Sequence, residues 1–220
     1  MLVDQPVVVV RGEAVHEVPP DEATFQVTVS AADRDRPLVV RRLTERSAGI
    51  DTLLDSYDQA GLRRETSGMN VYPEFRRGEK VTRYHGQIST TVTVTDFAIL
   101  GELMTRLAGD GLVSLSGPWW RLRPGSPAGA AVRRAAIGDA LSRARDYAAA
   151  VGARLDRLVE ISDTDGGGGA VYAARSMQVT NLSGGAADGA EPALDVTPQL
   201  QTLSAQVLLR ALITNPESLG

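Results

Sequence analysis

The sequence predicts an α+β fold, a largely antiparallel sheet with helices packed on it, and three observations carry that prediction. Several stretches alternate apolar and polar residues with period two, as strands with one wet face do. Between them lie stretches with apolar residues at three- and four-residue steps, as helices with one covered face have. The longest of these, Ser126 to Gly152, is rich in alanine and flanked by strand-like runs, so it is expected to lie close over a sheet.

In chain order, Pro6 to Val18 and Glu22 to Ala31 read as strands separated by a turn at Pro19, Pro20 and Asp21. Phe25, Val27 and Val29 fall on one side of the second, and Thr24, Gln26, Thr28 and Ser30 on the other. From Leu38 the period becomes helical, with Leu43, Ile50, Leu53, Leu54 and Tyr57 on one side and Gly61 as the stop. Glu65 to Phe75 and Val81 to Thr95 read as a long hairpin turned at Arg76 to Glu79. Asp96 suits the N-cap of a helix over Phe97 to Ala108. Leu112 to Arg123 reads as a strand, and Gly117 and Pro118 within it predict a bulge or an edge position.

The long helix has Ser126 as its expected cap, Pro127 in its first turn and Gly152 as its left-handed stop. Its expected stripe is Ile137, Ala140, Leu141, Ala144, Tyr147, Ala148 and Val151. Leu155 to Ser162 reads as a short strand. Asp163 to Pro192, with GGGG and SGG runs, reads as a flexible loop. Leu203, Ala205, Val207, Leu209, Ala211 and Ile213 alternate in a closing strand too apolar to stay unpaired. The expectation is a single domain over residues 1–220, with strands from both chain ends in one sheet.

Composition narrows the function classes. The chain has 220 residues, 43% of them apolar, with a formal charge of −4 and a pI near 5.3. That acidic balance argues against a general nucleic-acid or anionic-membrane role. With no cysteine, thiolate chemistry and disulfides are excluded. Of 23 basic residues only Lys80 is not arginine, which reads as coding bias rather than function. No run of eighteen apolar residues occurs, so no membrane span is expected. The opening MLVDQPVVVVRGEAV lacks a basic start and a long apolar core, which predicts a cytoplasmic protein.

Several local features together resemble one family. They are VVVRGEAVHEVPPDEA with Gly12, Pro20, Asp21 and Ala23, then VYPEF at Val71 to Phe75, and KVTRYHGQISTTVTVTD at Lys80 to Asp96. Gly117 before an aromatic strand and the Arg- and Ala-rich helix ending AAAVGARL at Leu155 complete the set. In this order they resemble the SIMPL-domain family, which includes the YggE-like periplasmic proteins. The resemblance implies an α+β domain of antiparallel strands with helices against it, assembly into oligomers, a loose tie to stress and envelope phenotypes, and no catalytic residues. The expected absence of a signal peptide and the enlarged glycine-rich loop are departures from the family pattern.

The residues offer few chemical sites. His16 and His85 are the only histidines, and with no cysteine they read as strand-surface residues rather than metal ligands. Asp163, Thr164, Asp165 and Gly166 begin like a calcium loop but lack the later acidic ligands. Gly166 to Gly169 lack the Lys and Ser or Thr of a phosphate loop. Ser116 is not set in a Gly-x-Ser-x-Gly elbow. No catalytic residue, metal or cofactor is therefore expected.

Two groups point to contact rather than chemistry. Arg76, Arg77, Lys80 and Arg83 gather at the hairpin tip, where an anion could dock. Trp119 and Trp120 are adjacent in a strand, so only one can enter the core and the other is a candidate interface residue. The leading expectation is a non-enzymatic protein that works through homo-oligomeric assembly or binding. The alternative is a small-ligand protein or enzyme with a pocket under the loop at 163–192.

Overall fold

The structure is a computed structural model and describes residues 5–57, 61–76, 80–164, 194 and 196–217. The elements are β1 (Val7–Val18), β2 (Glu22–Asp33), α1 (Arg36–Asp55), β3 (Arg63–Arg76) and β4 (Lys80–Val94). A 3₁₀ turn (Phe97–Ile99) then runs into α2 (Leu100–Ala108), followed by β5 (Val113–Arg121), α3 (Pro127–Ala150), β6 (Leu155–Asp163) and β7 (Gln201–Ile213). All strand pairs are antiparallel. The fold is the α+β class that the sequence predicts.

The expected single sheet is not what forms, because the strands divide into two sheets, ordered β1-β7-β6 and β3-β4-β2-β5. Pro19 and Pro20 have no N–H to give a ladder, so β1 ends there and β2 begins a separate one. The pairing of the chain's two ends does occur, with Val10 opposite Leu209 and Gly12 opposite Val207. Two compact units result, one holding β1, α3, β6 and β7, the other β2 to β5 with α1 and α2.

In the first unit α3 lies over β1 and β7 and leaves β6 largely uncovered. The buried face of α3 is Val132, Ala136, Ala140, Ala144 and Ala148, a row with a four-residue step. Tyr147, expected on the covered stripe, is instead exposed. The reason is the closeness of the crossing. A Cβ on Gly12 would collide with the backbone oxygen of Ala136 and with Ala140, so the facing helix can present only alanine there. Asp139 pins the same crossing, accepting from the Glu13 amide at 3.0 Å while Arg143 holds it at 2.9 Å. Ser126 makes no side-chain capping bond. Pro127 has no amide to offer, and the Gly129 amide bonds the Ser126 carbonyl at 3.3 Å instead. Gly152 ends the helix as expected, at φ +68°.

In the second unit Ala23, Phe25, Val27, Val29 and Ala31 of β2 join Ile88, Val92 and Val94 of β4 in one buried face. Val39, Leu43, Ile50 and Leu54 of α1 and Leu100, Leu103, Met104 and Leu107 of α2 cover it. Here too the helix crosses at a glycine, with Val39 and Leu43 against the site a Gly86 side chain would fill. Asp96 caps the second helical segment as expected, accepting from the Ala98 amide at 3.0 Å.

Two glycine substitutions should separate in sign. Gly12→Ala overpacks the α3 crossing and should lower stability by about 2–3 kcal/mol. Gly49→Ala, whose Cβ would meet nothing within 4 Å in α1, should raise it by about 0.5–1 kcal/mol through helix propensity. Urea unfolding midpoints read both, and a Gly12→Ala protein as stable as the parent would contradict the close crossing.

Candidate functional site

The site begins where β2 stops. Asp33 Oδ1 accepts from the Asp35 amide at 3.1 Å and its other oxygen meets Arg42 at 2.9 Å, turning the chain out of the sheet and into α1. The amide bond from Asp35, more than Arg42, holds the Asp33 carboxyl below its ordinary pKa. The last rung between β2 and β4 is Asp33 opposite Tyr84. Beyond it β3 and β4 continue alone, with Glu74 opposite Arg83, Phe75 opposite Val81 and Arg76 opposite Lys80. Among the described residues the hairpin therefore ends in a two-stranded ribbon with no third strand, an arrangement of marginal stability by itself.

The ribbon pairs apolar residues with cations. Phe75 is 60% exposed and its partner Val81 37%, an apolar pair with little cover. Arg76, Lys80 and Arg83 are all exposed beside it. Arg77, expected with them, lies outside the described residues. At the ribbon's base His85 Nε2 and Glu74 Oε2 stand 2.8 Å apart, and the His85 ring stacks on Tyr72 with centroids 5.7 Å apart and planes 20° from parallel. The hydrogen bond from His85 is the main cause of a Glu74 pKa below the usual carboxylate value.

The face of this sheet away from the helices is polar. Thr28 and Ser89 share a hydroxyl hydrogen bond at 3.0 Å, as do Ser67 and Thr91 at 2.7 Å, so these hydroxyls largely satisfy one another. Two shallow pockets open on it, about 180 Å³ beside Ser30, Tyr72 and His85 and about 240 Å³ beside Gln26, Asn70 and Gln87. Both are below the roughly 300 Å³ where pockets for drug-sized ligands begin.

Trp119 and Trp120 point to opposite faces of β5. Trp120 lies opposite Ala23 and packs edge-to-face on Phe97, ring centroids 4.9 Å apart. Trp119 lies opposite Thr24 and is 53% exposed. Because β5 and β3 are the two edges of the sheet, the structure does not bring Trp119 to the basic tip. Ser116 faces across to Gln26, and His16 is exposed on β1. No cluster of three or more His, Cys, Asp or Glu side chains suited to a metal occurs among the described residues. Residues 165–193, which include Asp165, the Gly166 to Gly169 run and most of the expected loop, lie outside them.

The family model for SIMPL, described as "Protein of unknown function (DUF541)", matches residues 8–210. The chain belongs to the SIMPL family. No curated protein matches it. Among the described residues of this SIMPL chain, no helix is long and apolar enough to cross a membrane. The exposed Phe75 and Val81 pair is the feature that sequence reasoning passed over. The available signal was an apolar residue on each side of a charged turn, in a hairpin whose strands run to 14 and 15 residues against 12 in β2.

The His85 and Glu74 contact fixes a pH dependence. A depressed carboxyl pKa stabilises the fold above the ordinary Glu value, and that contribution is lost as pH falls through the depressed value. His85→Ala should move the Glu74 titration upward toward the ordinary range, followed by NMR of its carboxyl carbon. An unmoved titration would show that the contact does not set it.

Proposed function

We propose that this SIMPL protein is a non-enzymatic assembly unit whose copies associate through the β3–β4 ribbon. The observation that carries the reading is Phe75, 60% exposed on a ribbon that extends past the last β2 rung. A large aromatic on a two-stranded extension gains little from its own chain, and burial against a neighbour would return about 25 cal/mol for each Å² of apolar surface covered. The basic residues flanking it keep the unassembled chain soluble and give the contact charge specificity. Trp119, exposed on β5, offers a further apolar contact on the opposite sheet edge. Two observations favour binding over chemistry: two hydroxyl pairs of the open face bond each other, and its pockets are small. A role in stress or the cell envelope belongs to this proposal through the family resemblance alone.

Light scattering on a size-exclusion column tests the reading. The wild-type chain should elute at a multiple of 23.4 kDa. The Phe75→Glu, Val81→Glu double variant should fall to the single-chain mass, with its circular dichroism and melting temperature retained. A wild-type protein that stays monomeric at high concentration would overturn the proposal.

A further inference from the structure

The helix layer of the second unit contains a cation that its own chain leaves unsatisfied. Helix α1 buries Val39, Leu43, Ile50 and Leu54. Arg46 stands three residues after Leu43 and four before Ile50, so it occupies the same stripe, where a covered helix ordinarily carries an aliphatic side chain. Arginines at such positions usually lay their methylenes on the core and carry the guanidinium out to water. Arg46 does so only in part, since its Nη1 is buried and has no hydrogen-bond partner among the described residues. Two other arginines of the helix do find carboxylates, Arg41 at Glu45 (3.7 Å) and Arg42 at Asp33 (2.9 Å). A buried cationic donor without an acceptor carries a standing desolvation cost, which an acceptor from outside the chain would relieve.

Arg46 lines a cavity of about 190 Å³. Gly49, Ile50 and Leu53 continue the α1 wall, Arg106 and Leu107 of α2 form a second, and Asp110 and Val113, where the chain enters β5, form a third. Two arginines against one aspartate give this lining a net charge of +1. Asp110 is already engaged, its Oδ1 accepting from the Leu112 amide at 3.0 Å. Arg106 lies over the Tyr57 ring, 5.7 Å from its centroid, and meets Glu102, which is outside the lining, at 3.4 Å. That pair is exposed and therefore weak, and it leaves other donors of the guanidinium to a ligand. The rest of the lining is apolar apart from Gly49, and the volume is below the roughly 300 Å³ of pockets for drug-sized molecules.

We propose that this cavity binds a small monocarboxylate with a short apolar tail. The carboxylate accepts from Arg46 Nη1, Arg106 adds a second cation from the α2 side, and the tail lies on Ile50, Leu53, Leu107 and Val113. A guanidinium presents its donors in a fork that matches the two oxygens of a carboxylate. One negative charge answers the net +1 of the lining, and the tail takes apolar surface out of water, which a bare inorganic anion would not do. The site shares no residue with the β3–β4 ribbon, so it goes beyond the assembly reading and does not depend on it.

Sodium benzoate and sodium butyrate are suitable probes, with benzamide and inorganic phosphate as comparisons. At millimolar concentration either acid should raise the melting temperature of the wild-type chain and shift the guanidinium nitrogen resonances of Arg46, while benzamide and phosphate do neither. Arg46→Met keeps an unbranched side chain and removes the unpaired charge. Without ligand it should melt higher than wild type, and its affinity for both acids should fall about tenfold or more. Arg46→Lys should retain part of the binding, and Arg106→Gln should weaken it several-fold, each with an unchanged circular dichroism spectrum. These two variants read the site even if Arg46→Met fails to fold.

A wild-type chain whose melting temperature and Arg46 resonances ignore both acids overturns the inference. Binding that survives unweakened in Arg46→Met, or in both other variants, overturns it as well. A response to benzamide or to phosphate equal to that of the acids overturns the assignment of the ligand as an apolar carboxylate. The oligomeric state of the protein enters none of these outcomes, so the assembly reading stands or falls separately.

Discussion

The proposed contact surface depends on where β2 ends. Asp33 uses one carboxylate to stop the strand and to anchor Arg42 at the start of α1, so the sheet loses its third strand at Tyr84 while β3 and β4 still have residues to pair. The ribbon that results buries little of its own apolar surface. Its cations oppose indiscriminate edge pairing, and Pro73 and the register shift between Glu74 and Phe75 interrupt the ladder for the same effect. Such restraint suits the selective contact proposed for the exposed aromatic.

A second constraint shapes the other unit. Helix α3 approaches β1 so closely that Gly12 and an alanine row are required on the two sides. Close contact fixes the helix above β1 and β7, and a helix is about 10 Å wide, roughly two strand spacings. The third strand is left with core-type side chains and little to cover them. The tight crossing and the open apolar row on β6 are thus two consequences of one packing choice.

Much of the architecture was legible in the sequence because period-two patterns and turn residues report local structure directly. The N-cap at Asp96, the stop at Gly152 and the edge character of the strand at Pro118 are all found in the structure. The division into two sheets was not legible, since alternation says which face of a strand is buried and not which strand lies beside it. The α3 stripe was misread at Tyr147 because a helical period admits both three- and four-residue steps, and only the glycine on the facing strand selects the latter. At the site, the basic tip and the opposed tryptophans followed from spacing. The exposure of Phe75 did not, because it depends on the length of β2 relative to the hairpin.

The central claim is that the β3–β4 ribbon is a surface that other copies cover. Amide hydrogen exchange at low and high protein concentration tests it most directly, because protection by a neighbour rises with concentration whereas protection within one chain does not. The account predicts that amides of Glu74 to Arg76 slow as concentration rises, while those of β2 keep their rates. Exchange in the ribbon that is indifferent to concentration would contradict it.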